Sequence, residues 1–507
     1  MPADFVLPAE LTIGQPDRMR YDGRLHLAAR YFDTADFRLA REGITLRHRT
    51  GEAEPLWTLK VPSPGGKRGD RVERSVPAAE DSPPPDLVEL LTGHLRGDEL
   101  VDVAQLRTER DVWLIAATDG KVQVELVDDQ VTVSRDGSTT ASWRELEVEL
   151  KTETSAAAET AAEVIKQLEA LGAAQSADPS KLARAVGVSP GTDPSVPMPV
   201  RVRKKDSARA LVVAQLRADV RRLIAQDIAV RVGQDDAVHQ MRVACRRLRS
   251  DLRTFGSLFA EGSTDRLRAE LGWLATSLGD ARDLEVLRAR LALTFTSDPL
   301  VRLDPVVFAR LDEFFRRRQQ AALDQVTEAL ATQRYVDVLT LAVATARRPS
   351  TTERAEGTVR KVLPPLVAHA VGKVDRAVRV LTPDAPDAVW HAARIRAKRA
   401  RYAAEACERA VGKPADRTAA AMASVQKLLG EHQDSVVTAE TLIAVAHEHP
   451  TDGELVLLCG RLAERERSAV REIRAAFPAV WRAASRPATR AWLSLPKAGS
   501  VPDRSIR

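Results

Sequence analysis

Polar and apolar residues alternate in short runs through the first third of the chain and recur at helical spacing through most of the rest. Within residues 30–75 the runs GITLRHR, PLWTLKV and DRVERSV are separated by Gly, Pro and charged turns. VWLIAAT, KVQVELV, QVTVSR and WRELEVEL follow. Runs this short, bounded by turn signals such as Asp119-Gly120 and Asp136-Gly137, predict a meandering antiparallel sheet or barrel. Between them, residues 86–106 have helical spacing. SAAAETAAEVIKQLEALG, after Thr154, predicts a helix ended by Gly172, and SKLARAVG predicts a second, shorter one. SPGTDPSVPMPV carries no periodicity and reads as a linker. From Arg201 to about Ala484 the period is helical, and the last residues are expected to fray.

The predicted organisation is therefore multidomain α+β. An antiparallel β tunnel or barrel with flanking helices occupies 1–188, a linker 189–202, and an all-α duplicated bundle 203–490. The duplication is visible as an interval. VHQMRVACRRLRSDL begins its His at 239 and WHAARIRAKRARYAA begins its His at 391, a shift of 391 − 239 = 152. LGDARDLEVL starts at Leu278 and LGEHQDSVV at Leu429, a shift of 429 − 278 = 151. Two separate motifs holding one interval imply two stacked copies, about 203–345 and 355–490, related by a pseudo-dyad.

Charge sharpens this division. Residues 1–200 hold 23 Lys+Arg and 34 Asp+Glu, a balance of −11; the remainder holds 76 − 23 = 53 basic and 71 − 34 = 37 acidic residues, a balance of +16. An acidic front half and a basic back half predict different partners. Cys245, Cys407 and Cys459 are too scattered for a disulfide framework or a zinc site. MPADFVLPAEL lacks the pattern of a signal peptide, and no apolar stretch is long enough to span a membrane. A cytoplasmic protein without membrane partners is expected.

On a helix at about 100° per residue, His239, Arg242, Arg246, Arg249 and Arg253 fall within an arc of about 80°. His391, Arg394, Lys398 and Arg401 repeat the arrangement, with Tyr402 beside them, while Met241, Leu248, Leu252 and Phe255 lie opposite and face the core. Such a stripe could be a solvated face. Solvated faces, however, usually mix signs for i,i+4 pairing, whereas the first stripe has no acid on its arc. Like charges one turn apart destabilise a helix, so an external polyanion is the expected compensation. Arg forks suit phosphate oxygens. Nucleic acid is disfavoured because base stacking calls for aromatics and only Tyr402 offers one.

The pattern HxxRVxxRRLRxxLRxF followed by LGxxRD, with a second copy HxxRIxxKRxRY and LGxxQD, closely resembles the CHAD domain. That family is a helical, internally duplicated module that binds inorganic polyphosphate. The resemblance implies that His239, Arg242, Arg246, Arg249, His391, Arg394, Lys398 and Arg401 line a basic central groove. Asp280, Asp283, His432 and Asp434 would orient those bases. The two groove histidines could be hydrogen-bonding supports or ligand contacts.

In the acidic half, strand alternation puts Arg47 and Arg49 on one face, Lys60 opposite the Trp57–Leu59 face, and Glu145, Glu147 and Glu149 on one face. These could be wet faces of an ordinary sheet, or a lumen binding triphosphate and a hard divalent ion, Mg²⁺ or Mn²⁺. The order YFDT, LRHR, WTLKVP, RVERSV, WRELEVEL and SKLARAVG resembles the CYTH family of triphosphate tunnel metalloenzymes, which includes inorganic triphosphatases. By position, the resemblance implies phosphate contacts from Arg47, Arg49, Lys60, Arg71 and Arg110, with Lys181 closing one end. It implies metal ligands and a base for water in Glu145, Glu147 and Glu149. Coupled to a CHAD domain, inorganic triphosphate is favoured over thiamine or ATP substrates, with association to polyphosphate granules. The family's opening ExExK strand has no match near the amino terminus, which predicts a late start codon or a tunnel with a depleted metal site and unpaired sheet edges. A polyphosphate-binding protein with a silent tunnel is the alternative.

Overall fold

The protein, a computed structural model, describes Phe5, Leu7 and residues 19–62, 71–117, 120–135, 138–176, 180–297 and 305–494. The Asp136-Gly137 turn, Asp119, Asp70 and the final segment expected to fray lie outside them. The chain divides into two compact units, Met1–Ser195 and Val196–Arg507.

The first unit is a seven-stranded antiparallel sheet, open rather than closed, in the order β4-β3-β2-β1-β5-β6-β7. The strands are β1 (Met19–Asp33), β2 (Thr45–Thr50), β3 (Leu56–Pro62), β4 (Arg71–Pro77), β5 (Val101–Ala116), β6 (Val122–Arg135) and β7 (Ser138–Leu150). Five short helices accompany them: α1 (Arg38–Arg41), α2 (Pro85–Glu89), α3 (Thr92–Leu95), α4 (Ser155–Ala170) and α5 (Lys181–Val186).

Three sequence expectations change here. The strand β1 was missed, although Leu25, Leu27, Ala29 and Tyr31 alternate within it. The helical spacing of 86–106 is real only to Leu95; from Val101 the chain is strand, pairing with β1 and β6. KVQVELV and QVTVSR are one strand rather than two. The acids in the middle of that strand, Asp128 and Asp129, are each neutralised by an arginine on its own face of the sheet: Arg144 holds Asp128 and Arg110 holds Asp129.

The two faces of the sheet are covered differently. On one, Ala161, Val164 and Leu168 of α4 pack against Ile115, Val124 and Leu126. On the other, Leu182 of α5 packs against Ala29, Tyr31, Ala104, Leu106, Val131 and Val133. Local chemistry sets both helices: Thr154 Oγ1 accepts from Ala157 N–H and Ser180 Oγ from Ala183 N–H, capping their orphan amide groups. Gly187 ends α5 in the left-handed region, φ 69°.

The second unit is all-helical: α6 (Ala208–Arg231), α7 (Ala237–Thr254), α8 (Asp265–Ser277), α9 (Gly279–Ser297), α10 (Pro305–Leu330) and α11 (Gln333–Arg347), then α12 (Val359–Val378), α13 (Asp387–Val411), α14 (Lys413–Glu448) and α15 (Gly453–Ala484). One core joins both copies. Met241, Leu248, Leu252 and Phe255 of the first lie in it with Ala393, Ala397, Ala400 and Ala404 of the second, so small residues let α13 approach closely. The copies are not identical. The interval of 151 maps α8 and α9 onto one uninterrupted helix, α14, with Leu278 marking the break in the first copy and Leu429 lying mid-helix in the second. No helix among the described residues is long and apolar enough to cross a membrane.

Candidate functional site

Cross-strand partners share a face, so the register assembles the first site directly. Arg49 pairs with Ala29, Arg47 with Tyr31 and Thr58, and Thr45 with Lys60, which pairs in turn with Glu73. Across β1, Leu25 pairs with Arg110, Arg110 with Asp129 and Asp129 with Glu145, while Glu147 pairs with Val127 and Glu149 with Glu125. Arg47, Arg49, Lys60, Arg71, Arg110, Glu145, Glu147 and Glu149 therefore all occupy the α5-covered face. Cations sit towards β4 and acids towards β7.

At the acid end three carboxylates converge. Ligand oxygens of Asp129, Glu145 and Glu147 lie within 4.8 Å of one another. Arg110 donates through Nε (2.8 Å) and Nη2 (2.7 Å) to the two oxygens of Asp129, and through Nη2 to Glu147 (2.9 Å). The Lys181 ammonium, at the first turn of α5, reaches all three acids: Asp129 at 2.9 Å, Glu145 at 2.7 Å and Glu147 at 2.5 Å. Burial alone would lower its pKa; Glu147, Asp129 and Glu145 outweigh burial and hold it above the usual lysine range. Arg110 is raised in the same way, chiefly by Asp129 against burial. Trp143 Nε1 donates to Glu145 (2.7 Å), fixing that carboxylate. Asp129, fully buried, is the member that sequence reasoning missed. Glu149 shares the face but is exposed and outside the trio.

The cation end is less complete. Lys60 pairs with Glu73 at 2.9 Å and Arg49 with Glu52 at 2.7 Å, and Arg71 is exposed on β4. Arg47 makes no ion pair among the described residues, and the Nε atoms of Arg47 and Arg49 are buried without an acceptor. Burial, and then Arg47, push the Arg49 guanidinium below its usual pKa. Oxygen-only donors of this kind suit Mg²⁺ or Mn²⁺. The trio fits such an ion chemically, in the place that the Lys181 ammonium takes in this structure.

In the helical unit, Arg242, Arg246, Arg394, Lys398 and Arg401 come together between α7 and α13. Burial, with Arg246, Arg394, Arg242 and Arg401 around it, pulls Lys398 down to about 6. Arg246 is lowered by burial and then by Arg242. Tyr402 is buried beneath them, its ring 5.7 Å from Lys398 Nζ and 5.9 Å from Arg401 Cζ. The two copies match in detail. Arg242 pairs with Asp283 (2.7 Å) and lies against Gly279; Arg394 lies 3.8 Å from Asp434 and against Gly430. His391 Nδ1 contacts Gln433 Oε1 at 2.5 Å, and His239, lowered by burial, has Arg282 as its strongest charged neighbour. The expected orienting role of His432 does not hold. It is buried, stacks on Trp390 and accepts from Arg474 Nε (3.0 Å), with its pKa pulled down to about 4 by burial and Arg474. Asp280 is exposed.

A CYTH domain matches residues 10–186 and a CHAD domain residues 214–443. Uncharacterized protein Rv2226 of Mycobacterium tuberculosis is 35% identical over 464 residues, covering 87% of this chain and 86% of its own length. The chain belongs to the CYTH–CHAD family. The same match recurs in a second strain of that organism. Of solved structures, PptA from Streptomyces chartreusis is 20% identical, covers 55% of this chain and 100% of its own, and has a TM-score of 0.46. The CHAD domain from the plant Ricinus communis is 25% identical, with 56% and 95% covered and a TM-score of 0.45. By the two domain matches, the open sheet with its α5-covered face is a tunnel-like CYTH fold, and the duplicated bundle is the CHAD domain. The CYTH family generally uses divalent cations, which gives the acidic trio its interest.

Proposed function

We propose that the CYTH domain binds a triphosphate and hydrolyses it with a divalent cation, while the CHAD domain holds inorganic polyphosphate or brings the protein to polyphosphate granules. The observation that carries the reading is one sheet face bearing a convergent carboxylate trio and two arginines, Arg47 and Arg49, whose Nε atoms are buried without an acceptor. Buried donors left unpaired are costly, and phosphate oxygens would satisfy them. In this reading Arg47, Arg49, Lys60 and Arg71 hold phosphate oxygens, while Arg110 and Lys181 move between carboxylate and phosphate as substrate enters. Asp129, Glu145 and Glu147, with Glu149 beside them, would hold Mg²⁺ or Mn²⁺, which would neutralise charge on the phosphate oxygens. Water adds to the terminal phosphorus, the bridging P–O bond breaks, and orthophosphate and diphosphate leave, with a carboxylate of the trio accepting the proton from water.

The test is orthophosphate release from tripolyphosphate with Mg²⁺ or Mn²⁺, for the wild type and for Glu145→Gln with Glu147→Gln. Release that falls roughly 100-fold in the double variant supports the reading. A second reading, binding without turnover, is favoured by Lys181 and Arg110, which already neutralise the trio. Tight tripolyphosphate binding by calorimetry with no release under either metal decides for that second reading.

A further inference from the structure

The internal repeat of the CHAD domain reverses one charge between α7 and α13. In the second copy Glu405 is clasped by two arginines, Arg247 Nη1 at 3.0 Å and Arg401 Nε at 2.5 Å. The repeat interval of 152 carries Arg247 to Arg399 (399 − 247 = 152), and carries Arg249 to Arg401 and Arg253 to Glu405 in the same way. The dyad-related clasp, Arg399 and Arg249, therefore exists, but the residue between its arms is Arg253 rather than a carboxylate. Arg396 stands beside it where the first copy has Ala244.

The physical consequences are visible in the structure. Burial lowers the Arg399 guanidinium, and the charged residues that lower it further are Arg253, Arg249 and Arg396, with no acid offsetting them. Among the described residues none of these four arginines makes an ion pair. Arg249, Arg253 and Arg396 are exposed, so the cluster opens to solvent. The Arg249 guanidinium rests on α8, where a Cβ at Gly272 would lie 3.2 Å from Arg249 Cζ. Four like charges converge, on rigid helices, around the position that the other copy fills with an anionic group.

We infer that Arg249, Arg253, Arg396 and Arg399 form a second anion station, distinct from the Arg246–Lys398 groove, that takes a phosphate group of the same polyphosphate chain where the other copy uses Glu405. The inference rests on the polyphosphate reading of the groove and extends it. Arg242 and Arg253 are eleven positions apart on α7, roughly 16 Å along the helix, so only a chain long enough to cover that distance reaches both stations.

Restoring the symmetry is the decisive experiment. Arg253→Glu would rebuild the Glu405-type clasp with Arg249 and Arg399. The polyphosphate-free variant is expected to melt higher than the wild type. Its binding of long-chain polyphosphate should weaken roughly tenfold, and its salt dependence should flatten by about 1.4, two contacts at roughly 0.7 each. Arg409→Glu, the same charge change at an exposed position on α13, is the control and should leave the slope nearly unchanged. Binding by the wild type with Arg253→Glu indistinguishable from it, or with Arg409→Glu equally weakened, overturns the second station alone. No polyphosphate binding by the wild type overturns the groove reading together with this one.

Discussion

The sheet and the bundle both gather charge on one surface, but they balance it in opposite ways. On the α5-covered face of the sheet, three acids meet Lys181 and Arg110 at ion-pair distance, and much of the charge is cancelled internally. Between α7 and α13, Arg246, Arg394, Lys398 and Arg401 press on one another, and the acids that meet them lie at the margins: Asp283 on Arg242, Asp434 on Arg394 and Glu405 on Arg401. A self-neutralised site can rest without ligand and must break its own pairs to bind one. An uncompensated site is destabilised until a ligand arrives, and so binds eagerly.

Four perturbations break or sharpen this contrast. The largest is to make the groove resemble the sheet. Arg246→Glu places an acid beside Lys398 and should weaken polyphosphate binding roughly 100-fold, as expected for losing a charge-assisted contact and gaining a repulsive one. The same variant should melt higher than the wild type in calorimetry. A variant that binds normally would mean the groove is not the anion site.

Making the sheet resemble the groove is the converse. Lys181→Met strips the trio of the cation it shares, with Asp129 fully buried. The metal-free variant should lose about 2 kcal/mol of stability in denaturant titration, a value discounted for the partial exposure of Glu145 and Glu147. Millimolar Mn²⁺ should restore most of it, and a thermal shift insensitive to Mn²⁺ would argue that the trio does not accept an ion.

Next in size is the pH dependence of the groove. Lys398 falls to about 6, far below its unfolded value, so folding releases a proton and its penalty on stability shrinks as pH rises from about 6 towards 10. A bound polyanion reverses the shift. Binding near pH 7.5 should therefore take up close to one proton, measurable by calorimetry in buffers of different ionisation enthalpy. Affinity should drop as pH climbs, by at most about tenfold per unit. Lys398→Arg should remove both effects.

The smallest effect lies beneath the groove. Asp219 and Asp251 are both buried, and neither carboxylate oxygen of Asp251 has a hydrogen-bond partner among the described residues. Burial, and then Asp219, push the Asp251 carboxyl well above its ordinary range. A raised acid contributes a cost that grows as pH rises through its titration. Asp251→Asn should leave melting little changed near pH 3, below the ordinary carboxylate range, and raise it by a few degrees near pH 9.

How far these sites were legible in the sequence follows from the physics of each element. The stripe on α7 and its copy on α13 were readable because a helix places residues on one face from local spacing alone. Faces of strands were equally readable, which is why Arg47, Arg49, Lys60 and the glutamates fell on one surface. Asp129 was not, because an Asp-Asp pair inside a strand is stable only when long-range partners arrive, here Arg110 and Arg144. The inward placement of Lys181 likewise depends on how α5 docks. Nothing local revealed that His432 faces Arg474 rather than the groove.

The open sheet also has consequences for solubility. Its edge strand β4 is short and carries exposed Arg71, Glu73 and Arg74 along a row of backbone groups that could otherwise recruit another chain. Charges of both signs on such an edge oppose strand-to-strand stacking between molecules. Replacing them with apolar β-formers would convert a guarded border into a template for aggregation.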